Sequence, residues 1–292
     1  MDEPSRDPIR TGTSPDIVAT TVAMQRMLLV SGAFVVIAGF QLFVLSGRTA
    51  DYFAWTIEPP LTAAFLGAGY WSAAVLELGS AKRREWARAR VAMPAVLVFT
   101  IITLIVTLSH LDKFHLDSVF GIAWLVVYSV FPVAMTAVLV GQLRVPGSDP
   151  PRGAPLALWA RVVLVLQAMV LAPFGVALLV ATSRFDSWWP WTLTPLTARA
   201  VGAWLVGIAI VAVHIVSERS LERIDVALSS YAAFGLLQLI AIARYSDTPD
   251  WNTAGAAAYI AFCALMVVVG VFGVMQAWVV QRHPQARALP PT

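Results

Sequence analysis

Eight stretches of the chain are continuously apolar over about 20 residues, the length at which an α-helix crosses the hydrocarbon core of a bilayer. The segments between them are short and polar, and none is long enough to fold independently. The pattern predicts an all-α fold, a polytopic transmembrane bundle of eight spans, with any function inside the bundle or at its two ends. The predicted spans cover residues 27–46, 60–79, 91–110, 118–141, 159–181, 196–217, 223–244 and 254–280.

The start of the second span is repeated at the start of the sixth. Residues 55–71 read WTIEPPLTAAFLGAGYW, and residues 191–204 read WTLTPLTARAVGAW. With an offset of 135 residues, the run Pro-Leu-Thr-Ala that begins at Pro60 recurs at Pro195. We interpret spans one to four and spans five to eight as two copies of one four-helix unit.

Because each unit has an even number of spans, both copies enter the membrane from the same side. The predicted repeats are therefore parallel and related by a pseudo-two-fold axis along the membrane normal. Such an axis places an interface, and any shared cavity, between the halves. On this division the chain consists of a disordered cytoplasmic tail (1–26), a first four-helix repeat (27–141), a cytoplasmic linker (142–158), a second four-helix repeat (159–281) and a second disordered cytoplasmic tail (282–292).

Composition and charge agree with a membrane location and assign the two faces. Hydrophobic residues make up 59% of the chain and charged residues only 13%, against roughly a quarter in soluble domains. Most basic residues fall on one side of the eight-span pattern, which the positive-inside rule makes cytoplasmic, together with both termini. We expect a multi-pass protein of a bacterial inner membrane. Its basic segment 80–90 is expected to lie against anionic lipid headgroups, and the positive charge requires no nucleic-acid partner.

Residues with recognisable catalytic or cofactor chemistry are scarce. Cys263 is the single cysteine, so a thiolate metal cluster cannot form. His110 and His214 fall at opposite ends of their spans, which excludes a shared haem iron. The segment HLDKFHLD, residues 110–117, offers zinc-type ligands, but its spacing matches no known motif and a solvated loop is favoured. We predict no metal and no cofactor, and nothing in the sequence supports an enzyme.

The repeated phrase has a structural and a functional interpretation. Proline at the first helical position, a preceding threonine and nearby tryptophans are typical of a helix start at a membrane interface, and this interpretation is favoured. The functional interpretation is that two helix N-termini face one outer vestibule and hold an anion or an anionic headgroup. The residues predicted to form that site are Trp55, Glu58, Trp191, Arg199, Asp51 and Asp186.

The two copies disagree at two of these positions. Arg199 stands where the first copy has Ala64, and Glu58 stands where the second copy has Leu193. This difference favours a site that has become specialised. An ion pair between Glu58 and Arg199 across the pseudo-axis is the purely structural alternative.

Two further ionisable residues, Glu77 and His214, lie near the cytoplasmic ends of spans two and six. An ionisable residue within a span is a functional candidate, so a proton-coupling role is one hypothesis for them. Local pairing with the basic loops, or contact with the headgroup region, is the favoured alternative.

The sequence therefore predicts a protein that binds or transports a small molecule, ion or lipid through an outer-facing vestibule between the repeats. The alternative is an accessory or structural subunit that packs beside a larger membrane complex, or beside another copy of itself, through faces of small residues. A membrane enzyme acting on lipids is a weaker alternative, because it requires the carboxylates around Asp112 and Asp247 to converge.

Replacement of Arg199 tests the vestibule hypothesis. Arg199→Ala should weaken the binding of an anionic ligand much more than it weakens folding, because the guanidinium supplies positive charge to the site. Ligand affinity and thermal unfolding, measured on the same preparations, separate the two effects. Unchanged affinity in the variant contradicts the hypothesis.

Overall fold

The computed structural model describes residues 16–185 and 188–282, and eight of its helices are long and apolar enough to cross a membrane. The predicted number and approximate positions of the spans are confirmed. Residues 1–15 and 283–292, which hold most of the two predicted tails, lie outside the described residues. The helices are α1 (Val22–Val44), α2 (Pro60–Ala81), α3 (Trp86–Leu108), α4 (Val119–Leu143), α5 (Leu158–Val180), α6 (Pro195–Glu218), α7 (Leu221–Arg244) and α8 (Ala254–Arg282).

The starts of α2 and α6 follow from their sequences. Pro60 and Pro195 begin the two helices, where the missing N–H costs no hydrogen bond. In α6, Thr194 Oγ1 accepts a hydrogen bond from Thr197 N at 3.3 Å, and Thr197 Oγ1 accepts one from Thr194 N at 2.8 Å. This capping box satisfies donors that the first helical turn leaves free. The predicted proline helix starts are confirmed.

The first helix begins earlier than hydropathy predicts, at Val22 rather than residue 27. Thr21 Oγ1 caps it by accepting a hydrogen bond from Met24 N at 3.2 Å. The backbone of Thr21 in turn donates to Gln142 Oε1 on α4 at 2.8 Å. A polar cap and a tertiary contact, neither of which a hydropathy pattern detects, therefore set this boundary.

The long helices have a definite set of neighbours. Consecutive helices pack in pairs, α1 on α2, α5 on α6 and α7 on α8, while α3 touches α4 over a shorter length. Two contacts join distant parts of the chain, α2 on α7 and α3 on α6. Smaller contacts join α1 to α4, α5 to α8 and α2 to α6. Helices α2 and α6 are the most buried spans and form the centre of the bundle.

Glycines bring α7 and α8 into backbone contact. A Cβ atom on Gly235 of α7 would lie 2.5 Å from the carbonyl oxygen of Cys263 on α8. A Cβ atom on Gly270 of α8 would lie 2.7 Å from the backbone nitrogen of Ala232 on α7. Only the absence of side chains lets the two helices approach so closely. Gly202 of α6 makes a similar contact with Gly175 of α5.

One end of the bundle, which we call the basic face, is held by ion pairs. Arg83 Nη2 lies 2.5 Å from Asp225 Oδ2, and Arg90 Nη2 lies 2.6 Å from Glu218 Oε1. Glu218 also accepts a hydrogen bond from the buried Arg223 at 3.1 Å. These contacts connect α3 and the loop before it to α6 and α7 of the second half. The basic face consists of residues 16–21, 82–92, 144–157 and 218–223.

Aromatic rings fill the opposite end, which we call the tryptophan face. Trp55 packs against Trp124 of α4 with ring centroids 4.9 Å apart, and Trp191 packs against Tyr259 of α8 at 5.4 Å. The backbone of His115 donates to the carbonyl of Ala54 at 2.9 Å, which joins two loops. The described part of the tryptophan face consists of residues 45–59, 109–118, 188–194 and 245–253.

A methyl group at Gly235 tests the close α7–α8 contact. Gly235→Ala places a carbon atom 2.5 Å from the Cys263 carbonyl oxygen, so the helices must separate. We expect a loss of roughly 1–3 kcal/mol of stability, which lowers the apparent Tm by several degrees in a scanning fluorimetry measurement in mild detergent.

The matched control is Gly141→Ala in α4, where the added Cβ meets nothing within 4 Å. This variant should keep or slightly raise the apparent Tm, since alanine favours the helix over glycine by about 1 kcal/mol. Equal Tm values for the two variants contradict the close contact.

Candidate functional site

A cavity of about 370 Å³ lies within the first four helices, and we call it the α1–α4 cavity. Helices α1, α2, α3 and α4 supply most of its lining, while α6 and α7 close its back. It reaches from Gln41 and Val119, near the tryptophan face, to Glu77, four residues from the end of α2 at the basic face. The cavity is therefore long and follows the bundle axis.

The mouth of the cavity is on the side of the bundle. Phe34 and Ile37 of α1 and Val119 of α4 line the cavity, and they are also exposed on the outer surface of the protein. Helices α1 and α4 touch over a short length, which includes an edge-to-face contact of Phe34 with Phe131 at 5.6 Å. Because this outer surface is apolar, it faces lipid in a bilayer, and the cavity opens toward the hydrocarbon.

Aromatic side chains form the inner wall. Trp204 of α6 packs against Phe99 of α3 with centroids 4.2 Å apart and against Tyr70 of α2 at 5.0 Å. Trp124 of α4 packs on Tyr128 at 4.3 Å, and the Tyr128 hydroxyl lies 2.7 Å from that of Tyr70. One hydrogen bond joins the two hydroxyl groups. The wall thus offers flat apolar surfaces whose faces carry partial negative charge.

Most polar groups along the cavity have partners within the protein. Ser230 Oγ donates to the carbonyl of Ser72 at 2.7 Å, and Tyr231 OH donates to Gln167 Oε1 at 2.8 Å. Thr100 Oγ1 donates to a carbonyl of its own helix at 2.9 Å. The hydrogens of these three hydroxyl groups are thereby unavailable for donation to a ligand.

Glu77 differs from its polar neighbours. It is 1% exposed and lines the cavity, yet its Oε2 atom has no hydrogen-bond partner in the described residues. Ser31 of α1 lies within hydrogen-bonding reach of the carboxyl group. Among the residues that the structure describes, the cavity lining contains no Arg, Lys or His. One carboxyl group therefore stands at the inner end of an apolar, aromatic cavity.

The structure buries the two tryptophans of the repeated phrase. Trp55 is 3% exposed and Trp191 is 4% exposed. The Trp191 indole N–H donates to Thr62 Oγ1 of α2 at 2.9 Å. Trp55 lies beside Leu196 and Ala200 of α6, around a gap of only about 10 Å³. Indole rings thus pack between the two helix starts where the sequence predicted an open vestibule, because each loop reaches across to the helix of the other half.

The charged candidates are separated in the structure. Glu58 is exposed, and Asp51, also exposed, pairs with Arg48 at 3.5 Å. Arg199 instead donates to His110 Nε2 at 2.6 Å and to a carbonyl of α5 at 3.2 Å. Asp186 lies outside the described residues. Arg199 thus engages His110 in place of the alternative ion pair with Glu58.

Glu77 and His214 also have different environments. Glu77 lines the cavity, whereas His214 Nε2 lies 3.3 Å from Glu218 Oε1 in the ion-pair cluster of the basic face. The structure therefore does not bring them together as one proton-coupling pair.

The loop histidines are occupied by contacts within the protein. The Arg199 guanidinium donates to His110 Nε2, so the His110 Nδ1–H donates to the carbonyl of Val106 at 3.0 Å. His115 Nε2 lies 3.2 Å from Thr56 Oγ1. Across residues 16–185 and 188–282, no group of three or more His, Cys, Asp or Glu side chains is arranged to hold a metal ion.

Asp112, a candidate for lipid chemistry at the tryptophan face, is exposed and pairs with its neighbour Lys113 at 3.1 Å. The hydrogen bond from the Lys113 ammonium lowers the pKa of the Asp112 carboxyl. This local pair is a solvated contact and provides no raised-pKa general acid.

Sequence reasoning missed most of the cavity. Trp204 is the last residue of the repeated phrase, and Trp124 aligns with Tyr259 at the 135-residue offset, but neither was a candidate. An aromatic residue within a span gives no signal that separates a cavity wall from a packed core. Glu77 did give a signal, as an ionisable residue in an apolar span.

The chain was also compared with known proteins. No protein family, curated protein or solved structure matches it. The interpretation of the cavity therefore rests on its own chemistry.

A double-mutant cycle tests the position of Arg199. Arg199→Ala and His110→Ala should each destabilise the protein, and their effects should be non-additive by about 0.5–3 kcal/mol, because each change removes the same hydrogen bond. Unfolding of the wild type, both single variants and the double variant in one detergent gives the coupling energy. Additive effects contradict the contact.

Proposed function

We propose that the protein binds a small apolar molecule, which it takes from the bilayer into the α1–α4 cavity. The observation that carries this proposal is the lateral mouth between α1 and α4, which connects an aromatic cavity to the lipid-facing surface. A volume of about 370 Å³ is within the range of small-molecule sites. A soluble, polar ligand finds few partners there, since most lining groups are apolar.

The helix neighbours support the repeat hypothesis. We propose that α1–α4 and α5–α8 are two copies of one unit, related by a pseudo-two-fold axis. Under an exchange of the halves, the pair α1–α2 corresponds to α5–α6, and the pair α2–α7 corresponds to α6–α3. Each of these contacts is present together with its counterpart.

Two ion pairs of the basic face support the same proposal. Arg83 and Glu218 are 135 residues apart, and so are Arg90 and Asp225. The pairs Arg83–Asp225 and Arg90–Glu218 are therefore counterparts of each other under the offset that relates the repeated phrases. Their charges are reversed between the copies, which keeps both contacts attractive.

The copies differ where the cavity lies. Gly235 and Gly270, which bring α7 and α8 together, correspond to Thr100 and Met135 in α3 and α4. Side chains at these positions prevent a comparable backbone contact in the first copy. We propose that this divergence opened a ligand cavity in one copy and kept the other closed.

We also propose that the basic face is cytoplasmic, in keeping with the positive-inside rule. In the segment 80–90, Arg83, Arg88 and Arg90 have partners within the protein. Contact with anionic headgroups is therefore assigned to the exposed residues Lys82 and Arg84.

Filling the cavity tests the proposed function. Gly207 of α6 lines the cavity, and an added Cβ atom would meet only Phe99, at 3.9 Å. Gly207→Leu should therefore reduce ligand occupancy several-fold, because its Cβ has room and the rest of the side chain adds volume at the cavity wall. Occupancy is measured with a neutral, apolar diazirine probe in nanodiscs, followed by mass-spectrometric mapping of the labelled residues.

The matched control is Gly141→Leu, a lipid-exposed position of α4 outside the cavity. The wild type and this control should take up one probe per chain, with labels on the cavity lining. Labels spread evenly over the lipid-facing surface, or unchanged in Gly207→Leu, contradict the proposal. Recovery of the chain only together with other subunits would favour an accessory role instead.

A further inference from the structure

We propose that the α1–α4 cavity takes a lipophilic monovalent cation, such as a quaternary ammonium or a protonated amine with an apolar body, with Glu77 as its counter-ion. This inference rests on the proposed function, since it names the ligand class of the same cavity. It adds a charge, an exchange reaction and a residue that determines specificity.

The first argument is that one carboxyl oxygen of Glu77 is buried without a partner. The side chain is 1% exposed, and Oε2 has no hydrogen-bond partner in the described residues. A buried polar group without a partner is destabilising. A cationic ligand compensates such a group by its charge and, in a protonated amine, also by an N–H hydrogen bond.

The second argument is the sign of the charge. In the described part of the chain, the titratable side chains that line the cavity besides Glu77 are three tyrosines, Tyr70 of α2, Tyr128 of α4 and Tyr231 of α7. The described lining residues of α1, α3 and α6 include no titratable group. An anionic ligand would meet only a carboxyl group and no cation, whereas a cationic ligand gains a counter-ion.

The third argument is the aromatic wall. Trp124, Tyr128, Phe99 and Trp204 present ring faces and edges along one side of the cavity. Ring faces attract cations, and aromatic cages are a common site for quaternary ammonium groups. Neutral apolar ligands gain contact area from the same wall but no electrostatic attraction.

These features together imply an exchange of ions. With the cavity empty of cation, the Glu77 carboxyl keeps its proton, because an unpaired charge in an apolar site is costly. When the cation enters, the O–H bond of Glu77 breaks, the proton leaves to solvent and the carboxylate balances the charge of the ligand. No covalent bond to the ligand forms. Glu77 is four residues from the end of α2, about 6 Å along the helix axis, so the path to the basic face is short.

Two ions of the same shape and opposite charge test the inference. Radiolabelled tetraphenylphosphonium and tetraphenylborate are titrated against the full chain in nanodiscs of zwitterionic lipid. We expect saturable binding of one tetraphenylphosphonium per chain, at least about tenfold tighter than tetraphenylborate once each ion is corrected for its partitioning into empty nanodiscs. Its affinity should fall as the pH falls, because the proton competes for Glu77, and binding should release one proton into a weakly buffered solution.

Glu77→Gln keeps the size of the side chain and removes its charge. It should weaken tetraphenylphosphonium at least about tenfold, abolish the pH dependence and abolish proton release, while the neutral diazirine probe still labels the cavity. Glu85→Gln, the same substitution at the basic face and outside the cavity lining, should bind as the wild type does. Neutral-probe labelling also verifies that each variant is folded.

The outcomes separate the two proposals. Equal affinities for the two ions in the wild type overturn the present inference and need no variant. Unchanged tetraphenylphosphonium binding in Glu77→Gln overturns it as well. If the neutral probe labels the cavity in either case, the proposed function stands without a preference for cations. Absence of neutral-probe labelling from the wild-type cavity overturns the proposed function itself.

Discussion

The spacing between neighbouring helices depends on the side chains that separate them, because in a bilayer an apolar helix surface loses little by facing lipid. In α7 and α8, Gly235 and Gly270 remove the side chains at the contact, and the backbones touch. Helices α3 and α4 touch over a shorter length, and the proposed repeat places Thr100 and Met135 at the corresponding positions. On that proposal, this one difference explains why one half of the bundle is closed and the other is open.

Contacts at both ends of the bundle, outside the cavity, hold the first half against the second. Arg83 and Arg90 bind acidic residues of α7 and α6, so the first half is fixed to the second at the basic face. At the other end, Trp191 donates to Thr62 and thereby holds α2 against the second half. Helices α3 and α4 can therefore stand apart without loosening the bundle. The cavity is therefore a space between helices that are fixed at both ends.

Hydropathy and helix-start chemistry were sufficient to predict most of the fold. Eight apolar stretches predicted eight spans, and Pro60 and Pro195 marked two starts correctly, because these signals are local. The boundary at Val22 escaped prediction because it depends on a capping threonine and a distant Gln142. The parallel repeat stays a prediction that the helix neighbours support.

The candidate site was less predictable than the fold. The phrase around Trp55 and Trp191 was predicted to form a site because it repeats. A repeated sequence can equally serve helix packing, and both indole rings are buried. On the proposed repeat, the cavity lies where the two halves differ, and a difference at Thr100 or Met135 can be interpreted only once the glycine contact of the other half is known. Of the cavity residues, Glu77 could be predicted as a candidate, since a carboxyl group within an apolar span is a recognisable sequence signal.

The lateral mouth has a consequence for how affinity is defined. A molecule that enters between α1 and α4 comes from the hydrocarbon, so occupancy follows its mole fraction in the membrane and not its concentration in water. A weak intrinsic affinity then suffices for a molecule with a high partition coefficient. The apparent aqueous Kd changes with the amount of lipid present, and two ligands are comparable only after each is corrected for its own partitioning.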